Sequence, residues 1–344
     1  MAACTLPRTY SGTSVAITGA SGFVGRHLAA RMLDEGARVS ILVRNGSRLD
    51  ARLAHECTVV RGDLLDRVAV EEMLRGAACV FHCAADVATW GPWDSYRRSN
   101  IDGVRVLLDV LKASREPPRR LVHVSTLDVY GFPAEPASED AVLERVPYYY
   151  GESKRQGDLL IQQHCLAQGL SHVVLRPGNI VGPGSPFVSR IGAALRSGPM
   201  LSIDRGRHHA GLVDVQNLLD ILLWAGLSSV AHDQIYNVRD PWDACWSDYL
   251  SDFRLGSGLK GYVLDLNYRT AMLLAVAAVA AYRSVGVRKE PLLHPLLVQI
   301  FGRTCGHTVD KLQSHGAPVG RVDYASSMNA SLQWLAAQLD FIKN

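Results

Sequence analysis

Apolar positions along the chain fall into short, mostly apolar runs separated by stretches with helical spacing. The runs are Val15–Thr18, Arg38–Arg44, Thr58–Leu64, Ala78–Ala85 and Leu121–Thr126, each of strand length. Between them, residues 26–33, 66–75 and 99–111 carry the periodicity of amphipathic helices. Strands alternating with helices this regularly predict an α/β fold with a parallel, doubly wound sheet.

The pattern changes at Gly182-Pro-Gly-Ser-Pro186, a cluster of chain breakers. Residues 187–207 then predict a helix and a short strand, Ala210–Trp224 a strand and helix, and Gln234–Val238 another short strand. The remaining residues read as helical and mostly apolar. The expected organisation is a first domain over 1–181, rejoined by 210–240, and a smaller lobe made of 182–209 and 241–344. Ala271–Ala281 is an unbroken apolar run, well short of the roughly 20 residues that span a bilayer. It predicts a core or subunit-contact helix, with peripheral membrane contact as the alternative.

Composition narrows the function classes. A length of 344 residues allows a large core, and a net charge of +3 with 20% charged residues does not describe a nucleic-acid surface. Seven scattered cysteines are odd in number, which suits a reducing cytoplasm better than a disulfide framework. No basic segment followed by an apolar one opens the sequence, so no secretory leader is expected. Cys79, His82 and Cys83 sit on one strand, where alternate residues face opposite ways, and His208-His209 lacks a carboxylate partner. Neither predicts a metal site.

The chemistry begins at Val15-Ala-Ile-Thr-Gly-Ala-Ser-Gly-Phe-Val-Gly25. A strand runs into three glycines spaced three apart, and a helix follows at once, as in the phosphate-cradling turn of a dinucleotide-binding Rossmann unit. Gly19 allows the tight exit, Gly22 lets backbone approach a pyrophosphate, and Gly25 brings the helix close to the sheet. Ser21, Phe23 and Val24 complete the predicted cradle at the helix N-terminus. Arg44, ending the second strand with Arg48 nearby, suits a 2′-phosphate, so NADP(H) is expected over NAD(H). Asp63, with Leu64, is placed to meet the adenine amino group, and the small Ala84 and Ala85 permit close cofactor approach. Further on, Pro147-Tyr-Tyr-Tyr-Gly-Glu-Ser-Lys154 places Lys154 four residues after Tyr150, on one helix face. An ammonium beside a phenol favours the phenolate, so Tyr150 is the predicted acid/base on a carbonyl or hydroxyl oxygen. A hydroxyl of Ser125 or Thr126 would bond the same oxygen.

Thr18-Gly-Ala-Ser-Gly-Phe-Val-Gly25, Asp63-Leu64, Ser125-Thr126, Val129-Tyr130-Gly131, Tyr150-x-x-x-Lys154 and Arg176-Pro-Gly-Asn-Ile-Val-Gly-Pro-Gly184 resemble, in that order, the extended short-chain dehydrogenase/reductase family. Ala84-Ala-Asp-Val-Ala-Thr-Trp90-Gly91, Tyr96, Asn100 and Pro291–Val298 are similar to its 3β-hydroxysteroid dehydrogenase-like (epimerase/dehydratase) branch. The resemblance implies Tyr150 as acid/base, Lys154 on the nicotinamide ribose, and Thr126 rather than Ser125 as the hydroxyl partner. It implies Asn100 near the cofactor, Pro177, Gly178 and Ile180 beside the nicotinamide, and Asn179 facing the substrate. It also implies a homodimer through the helices carrying Asn100 and Tyr150. Family dehydratases carry Thr-Asp-Glu where this chain has Thr126-Leu127-Asp128, which disfavours water elimination. The expectation is an NADP(H)-dependent oxidoreductase on an apolar, steroid-like or polyketide-like small molecule touching Val87, Trp90 and Phe187. A nucleotide-sugar epimerase or 4-ketoreductase is the alternative.

Overall fold

The computed structural model describes residues 10–287 and 289–343, which leaves Cys4 outside. The first half alternates as β1 (Ser14–Thr18), α1 (Phe23–Asp34), β2 (Arg38–Val43), α2 (Ala51–Glu56), β3 (Thr58–Arg61), α3 (Arg67–Leu74) and β4 (Cys79–His82). Next come α4 (Trp93–Tyr96), α5 (Gly103–Ala113), β5 (Arg120–Val124), α6 (Tyr149–Gln168), β6 (His172–Pro177) and β7 (Asn179–Val181). The chain continues through α7 (Pro186–Ser197), β8 (Met200–Ile203), β9 (Leu212–Asp214), α8 (Val215–Leu227), β10 (Gln234–Val238) and α9 (Trp246–Ser257). It ends with β11 (Val263–Leu266), α10 (Tyr268–Ser284), α11 (Pro295–Gly302), α12 (Asp310–Ser314) and α13 (Tyr324–Lys343).

Seven strands form one parallel sheet in the order β10-β6-β5-β4-β1-β2-β3. The chain reverses its winding between β1 and β4, and the crevice at the carboxyl ends of strands at such a point is where α/β sheets bind ligands. Leu28, Ala29 and Met32 of α1 pack with Leu218, Leu219 and Leu222 of α8 on one face of the sheet. Leu107, Leu108 and Leu111 of α5 pack with Ile161 and Cys165 of α6 on the other. Each of these leucine, isoleucine and methionine side chains contributes about 1.5–3 kcal/mol by leaving water. A third core, built on Trp246, Tyr249, Phe253 and Phe301, belongs to the lobe.

Three local features depart from the sequence pattern. The strand expected over 78–85 stops at His82, because Cys83 onward opens into the crevice. The helix expected from 99 starts as a wide π turn, Arg97–Asp102, joining α4 to α5. Gly157 of α6 meets this turn so closely that a Cβ there would lie 2.5 Å from the Asn100 carbonyl oxygen. The third is β11, which pairs in parallel with β8 in a region expected to be helical. Gly261 lets the chain cross α7, where a Cβ would lie 2.2 Å from the Leu195 carbonyl oxygen, and Val263 follows as a good strand former.

Candidate active site

The turn between β1 and α1 is shaped by backbone approach. Gly19 has φ +77°, and a Cβ on it would lie 2.7 Å from the Ala84 nitrogen. On Gly25 a Cβ would lie 2.2 Å from the Gly19 carbonyl oxygen, so α1 lies against the turn only because that position is glycine. Gly22 is the N-cap of α1 and offers no side chain to the first turn's N–H groups, leaving donors and a positive dipole end for an anion. Thr18 ties β1 to β4: its hydroxyl accepts from the Ala84 amide at 3.2 Å and lies 2.8 Å from His82 Nδ1.

A cleft of about 630 Å³ opens above this turn. Its walls include Gly19, Ser21, Gly22, Arg44, Asp63, Leu64, Ala84, Ala85 and Val87. The cradle of glycines, the uncapped helix and a cationic side chain at the end of β2 fit a dinucleotide. Phe23 and Val24 lie behind the turn, Phe23 edge-on to His27 and Val24 against the first core. Arg48 is exposed and is not part of the cleft wall. Arg98, from the π turn, does line the cleft; its sequence surroundings carry no signal for that role.

Asn100 is buried behind this wall. Its Nδ2 donates to the Asp86 carbonyl and to Ser153 Oγ at 3.0 and 2.9 Å, while Oδ1 accepts from the Asp86 amide at 2.7 Å. It therefore holds the turn after β4 against α6.

A second cleft, of about 860 Å³, is walled by Thr89, Trp90, Tyr96, Tyr148, Tyr149, Tyr150, Val279, Arg283, His294 and Leu296, among others. The segment after β4 serves both clefts, Cys83–Ala88 the first and Thr89–Pro92 the second. Phe187 and Asn179 line neither. Phe187 packs on Trp246, Tyr249 and Phe301, and Asn179 Nδ2 donates to the Ala210 carbonyl at 2.7 Å. Pro177, Gly178 and Ile180 also lie off both walls; a Cβ at Gly178 would meet the Gly211 carbonyl oxygen at 2.1 Å.

Tyr150 sits one turn before Lys154 on α6, as its spacing predicts, but the electrostatics differ from the simple pair. Lys154 is buried, and its Nζ donates to the Val124 carbonyl at 2.7 Å. Burial draws its pKa down to about 8. Burial, then the Asp128 carboxylate, push the Tyr150 phenol above its ordinary range, against hydrogen bonding with Thr126. Lys154 is not among the largest influences on that phenol, and the expected net lowering is absent here. Asp128 itself is pushed up to about 6 by burial, opposed by a hydrogen bond with Thr126. The resemblance assigns Asp128 no role; it bears only on Leu127, which stands at the dehydratases' acid position.

Ser125 is committed elsewhere. Its Oγ donates to Asp158 Oδ2 at 2.7 Å, and the same carboxylate takes a two-pronged ion pair from Arg176 at 2.9 and 3.1 Å. Arg176 also donates to the Tyr130 hydroxyl at 2.8 Å. Among the described residues no group of three His, Cys, Asp or Glu could hold a metal ion, and no helix is long and apolar enough to cross a membrane.

A Gly-rich turn at the switch point of a parallel sheet, next to a cleft with Tyr150 in its wall, defines an NAD(P)-dependent enzyme of the extended short-chain dehydrogenase/reductase class. The chain belongs to the NAD dependent epimerase/dehydratase family, whose model matches residues 15–238. It is similar, at 26% identity over 92% of its length and 95% of the relative's, to the 4-hydroxy-2-methyl-3-oxo-4-farnesyl-3,4-dihydroquinoline-1-oxide ketoreductase of Stigmatella aurantiaca. The 2-alkyl-3-oxoalkanoate reductase of Shewanella oneidensis is also 26% identical, covering 86% of this chain and 78% of its own. Among solved structures, UDP-glucuronic acid 4-epimerase from Bacillus cereus, in complex with UDP-glucuronic acid and NAD, shares the fold at TM-score 0.75. It is 19% identical, covering 95% of this chain and all of the other.

Proposed function

We propose that this chain is an NADP(H)-preferring reductase that interconverts a ketone and a secondary alcohol on an apolar small molecule. The observation that carries the reading is the second cleft, an aromatic and apolar chamber with Tyr150 in its wall. The two reductases that resemble the chain along most of its length act, by their names, on a farnesylated quinoline oxide and on alkyl oxoalkanoates. Bound nicotinamide would supply the hydride. Tyr150 then donates a hydrogen bond to the substrate oxygen and gives it the proton, with Thr126 as the second hydroxyl on that oxygen. The aromatic walls exclude water and orient the apolar body. Gly19, Ser21, Gly22, Asp63, Leu64, Ala84 and Ala85 would hold the dinucleotide, and Arg44 its 2′-phosphate. Of the lobe arginines that could bind the diphosphate of a nucleotide sugar, Arg190 is paired with Glu290 at 2.7 Å.

The test is oxidation of NADPH and NADH over a panel of apolar ketones and nucleotide-sugar ketones. NADPH consumption on an apolar ketone is expected, and Tyr150→Phe should lower kcat by about 10²–10⁴-fold. Arg44→Glu should move the preference toward NADH by more than about tenfold, the equivalent of 1.4 kcal/mol. Turnover of nucleotide sugars alone would overturn the reading. The same proposal places the enzyme in the cytoplasm as a homodimer. The exposed apolar side of α10, with Leu273 73% and Val276 55% accessible beside Arg269 and Arg283, would touch membrane surfaces. Sedimentation with and without anionic vesicles checks both assembly and contact.

A further inference from the structure

The wall of the second cleft is built mostly of rings and apolar groups, and one full charge stands in it. Arg283, in the last turn of α10, lines the cleft together with Val279, four residues earlier, and Val287, four residues later. Residues four apart share a helix face, and Ala275, one turn before Val279, is buried in the lobe core. The packed side of α10 therefore runs out into the cleft and ends on a guanidinium. Arg283 stands where that side borders the exposed apolar one carrying Leu273 and Val276, at the mouth of the cleft. Among the described residues no aspartate or glutamate lines this wall, and the Arg283 side chain enters no ion pair. Glu290, which ties Thr89 and His294 of the wall together, is taken by Arg190 at 2.7 Å. Burial draws His294 below its ordinary 6.5, against the pull of Glu290, so that ring adds no charge at neutral pH. Burial also pushes the phenols of Tyr96, Tyr148 and Tyr150 up, and they stay neutral. A single cation among rings is screened less than one on open surface, and a guanidinium fork matches the two oxygens of a carboxylate.

We propose that Arg283 binds a carboxylate of the substrate, so that the substrate class is an oxo acid: an apolar chain with a ketone for Tyr150 and a carboxylate for Arg283. This rests on the ketoreductase reading and deepens it. No second lysine or arginine lines the cleft, so the wall matches the single charge of a carboxylate rather than a phosphate dianion. Apolar walls bind a carbon chain without fixing where along it the ketone lies, whereas a few placed polar groups set its orientation. With the carboxylate held at Arg283, only a ketone at one distance along the chain reaches Tyr150. Arg283 thus acts as the ruler of the cleft, and the rings of Trp90, Tyr96 and Tyr149 enclose the apolar body.

The kinetic test uses the full chain and ligands that differ only in charge: saturated oxo acids with the carboxylate at increasing distance from the ketone, and their methyl esters. At the best spacing the acid should be preferred to its ester in kcat/KM. Arg283→Gln should lower that acid-to-ester ratio about tenfold, mainly through KM. Arg283→Lys, which keeps the charge and loses the fork, should recover part of it. An unchanged ratio in Arg283→Gln overturns the proposal. A second arm needs no turnover: calorimetric binding of dodecanoate and of dodecanamide, with and without NADP⁺. Dodecanoate should bind the wild type more tightly than the amide, and Arg283→Gln should lose that preference. Equal binding of the two by the wild type, or binding of neither, overturns the carboxylate site whatever the reductase assay shows. A preference that depends on Arg283 in a protein that reduces no ketone upholds the site and strikes the reductase reading alone. Anionic vesicles separate the other source of negative charge. Sedimentation with vesicles that is lost in Arg283→Gln, with the preference for dodecanoate intact, assigns the cation to a membrane surface and overturns the proposal.

Discussion

Lys154 carries the clearest residue-scale consequence. The spacing of Tyr150 and Lys154 was legible because a helix puts i and i+4 on one face whatever surrounds it. The charge balance was not, because the Val124 carbonyl and the Asp128 carboxylate come from other elements. Burial lowers Lys154 to about 8 from its ordinary 10.5. Below about 8 the side chain is charged in both folded and unfolded states, and the full cost of burying that charge is present. Between 8 and 10.5 the folded protein has released the proton while the unfolded chain keeps it, so stability rises with pH. Lys154→Met removes this dependence. The expected outcome is that wild type gains stability relative to the variant as pH climbs from 7 to 10, read as the difference in Tm. The variant should also be far less active. A constant difference would mean that Lys154 is solvated as an ordinary lysine.

At the scale of elements, α6 is held by its partners more than by its own pattern. Asp158 on α6 and Arg176 on β6 form an ion pair with both side chains nearly inaccessible, at 0% and 1%. Breaking one half of a buried pair strands the other charge, which costs about 3–5 kcal/mol. Asp158→Asn should therefore lower the urea midpoint markedly, while the joint change Asp158→Leu with Arg176→Met should recover much of the loss. Equal losses in both would assign the stability to packing instead. The Gly-x-x-Gly-x-x-Gly turn makes a different demand. Gly25→Ala puts a methyl 2.2 Å from the Gly19 carbonyl oxygen, a backbone atom that cannot rotate away. Loss of NADPH binding, measured by calorimetry, is the expected result. The glycine spacing was readable from sequence because only glycine tolerates such approach. The π turn at Asn100 was not, since its width depends on α6 closing over it at Gly157.

Across the whole molecule, one carboxylate joins three distant segments over the second cleft. Glu290 Oε1 accepts from Thr89 Oγ1 at 2.6 Å, after β4, and from Arg190 Nη2 at 2.7 Å, on α7. It also lies 2.9 Å from Nε2 of His294, the N-cap of α11. Burial alone would raise Glu290, but the hydrogen bonds from Thr89, Arg190 and His294 outweigh it and hold the carboxyl below its usual range. A lowered carboxylate pKa means that this closure is present above the ordinary Glu value and is lost as pH falls through the lowered one. Glu290→Gln should raise KM for an apolar ketone by about 3–10-fold, roughly 0.6–1.4 kcal/mol, with a smaller effect on kcat. An unchanged KM would remove Glu290 from the closure of the cleft.

The sequence by itself determined the parallel doubly wound sheet, the dinucleotide turn and the Tyr150–Lys154 face, because each rests on local periodicity or on a conformation one residue type permits. Tertiary structure decided that Ser125 serves Asp158, that Phe187 packs into the lobe core, and that Asp128 stands beside Tyr150. Those outcomes depend on which distant groups arrive at a side chain. A hydroxyl, a ring or a carboxyl takes its role from the partners that folding brings to it, and residues as far apart as Thr89 and Glu290 meet only when the lobe closes over the sheet.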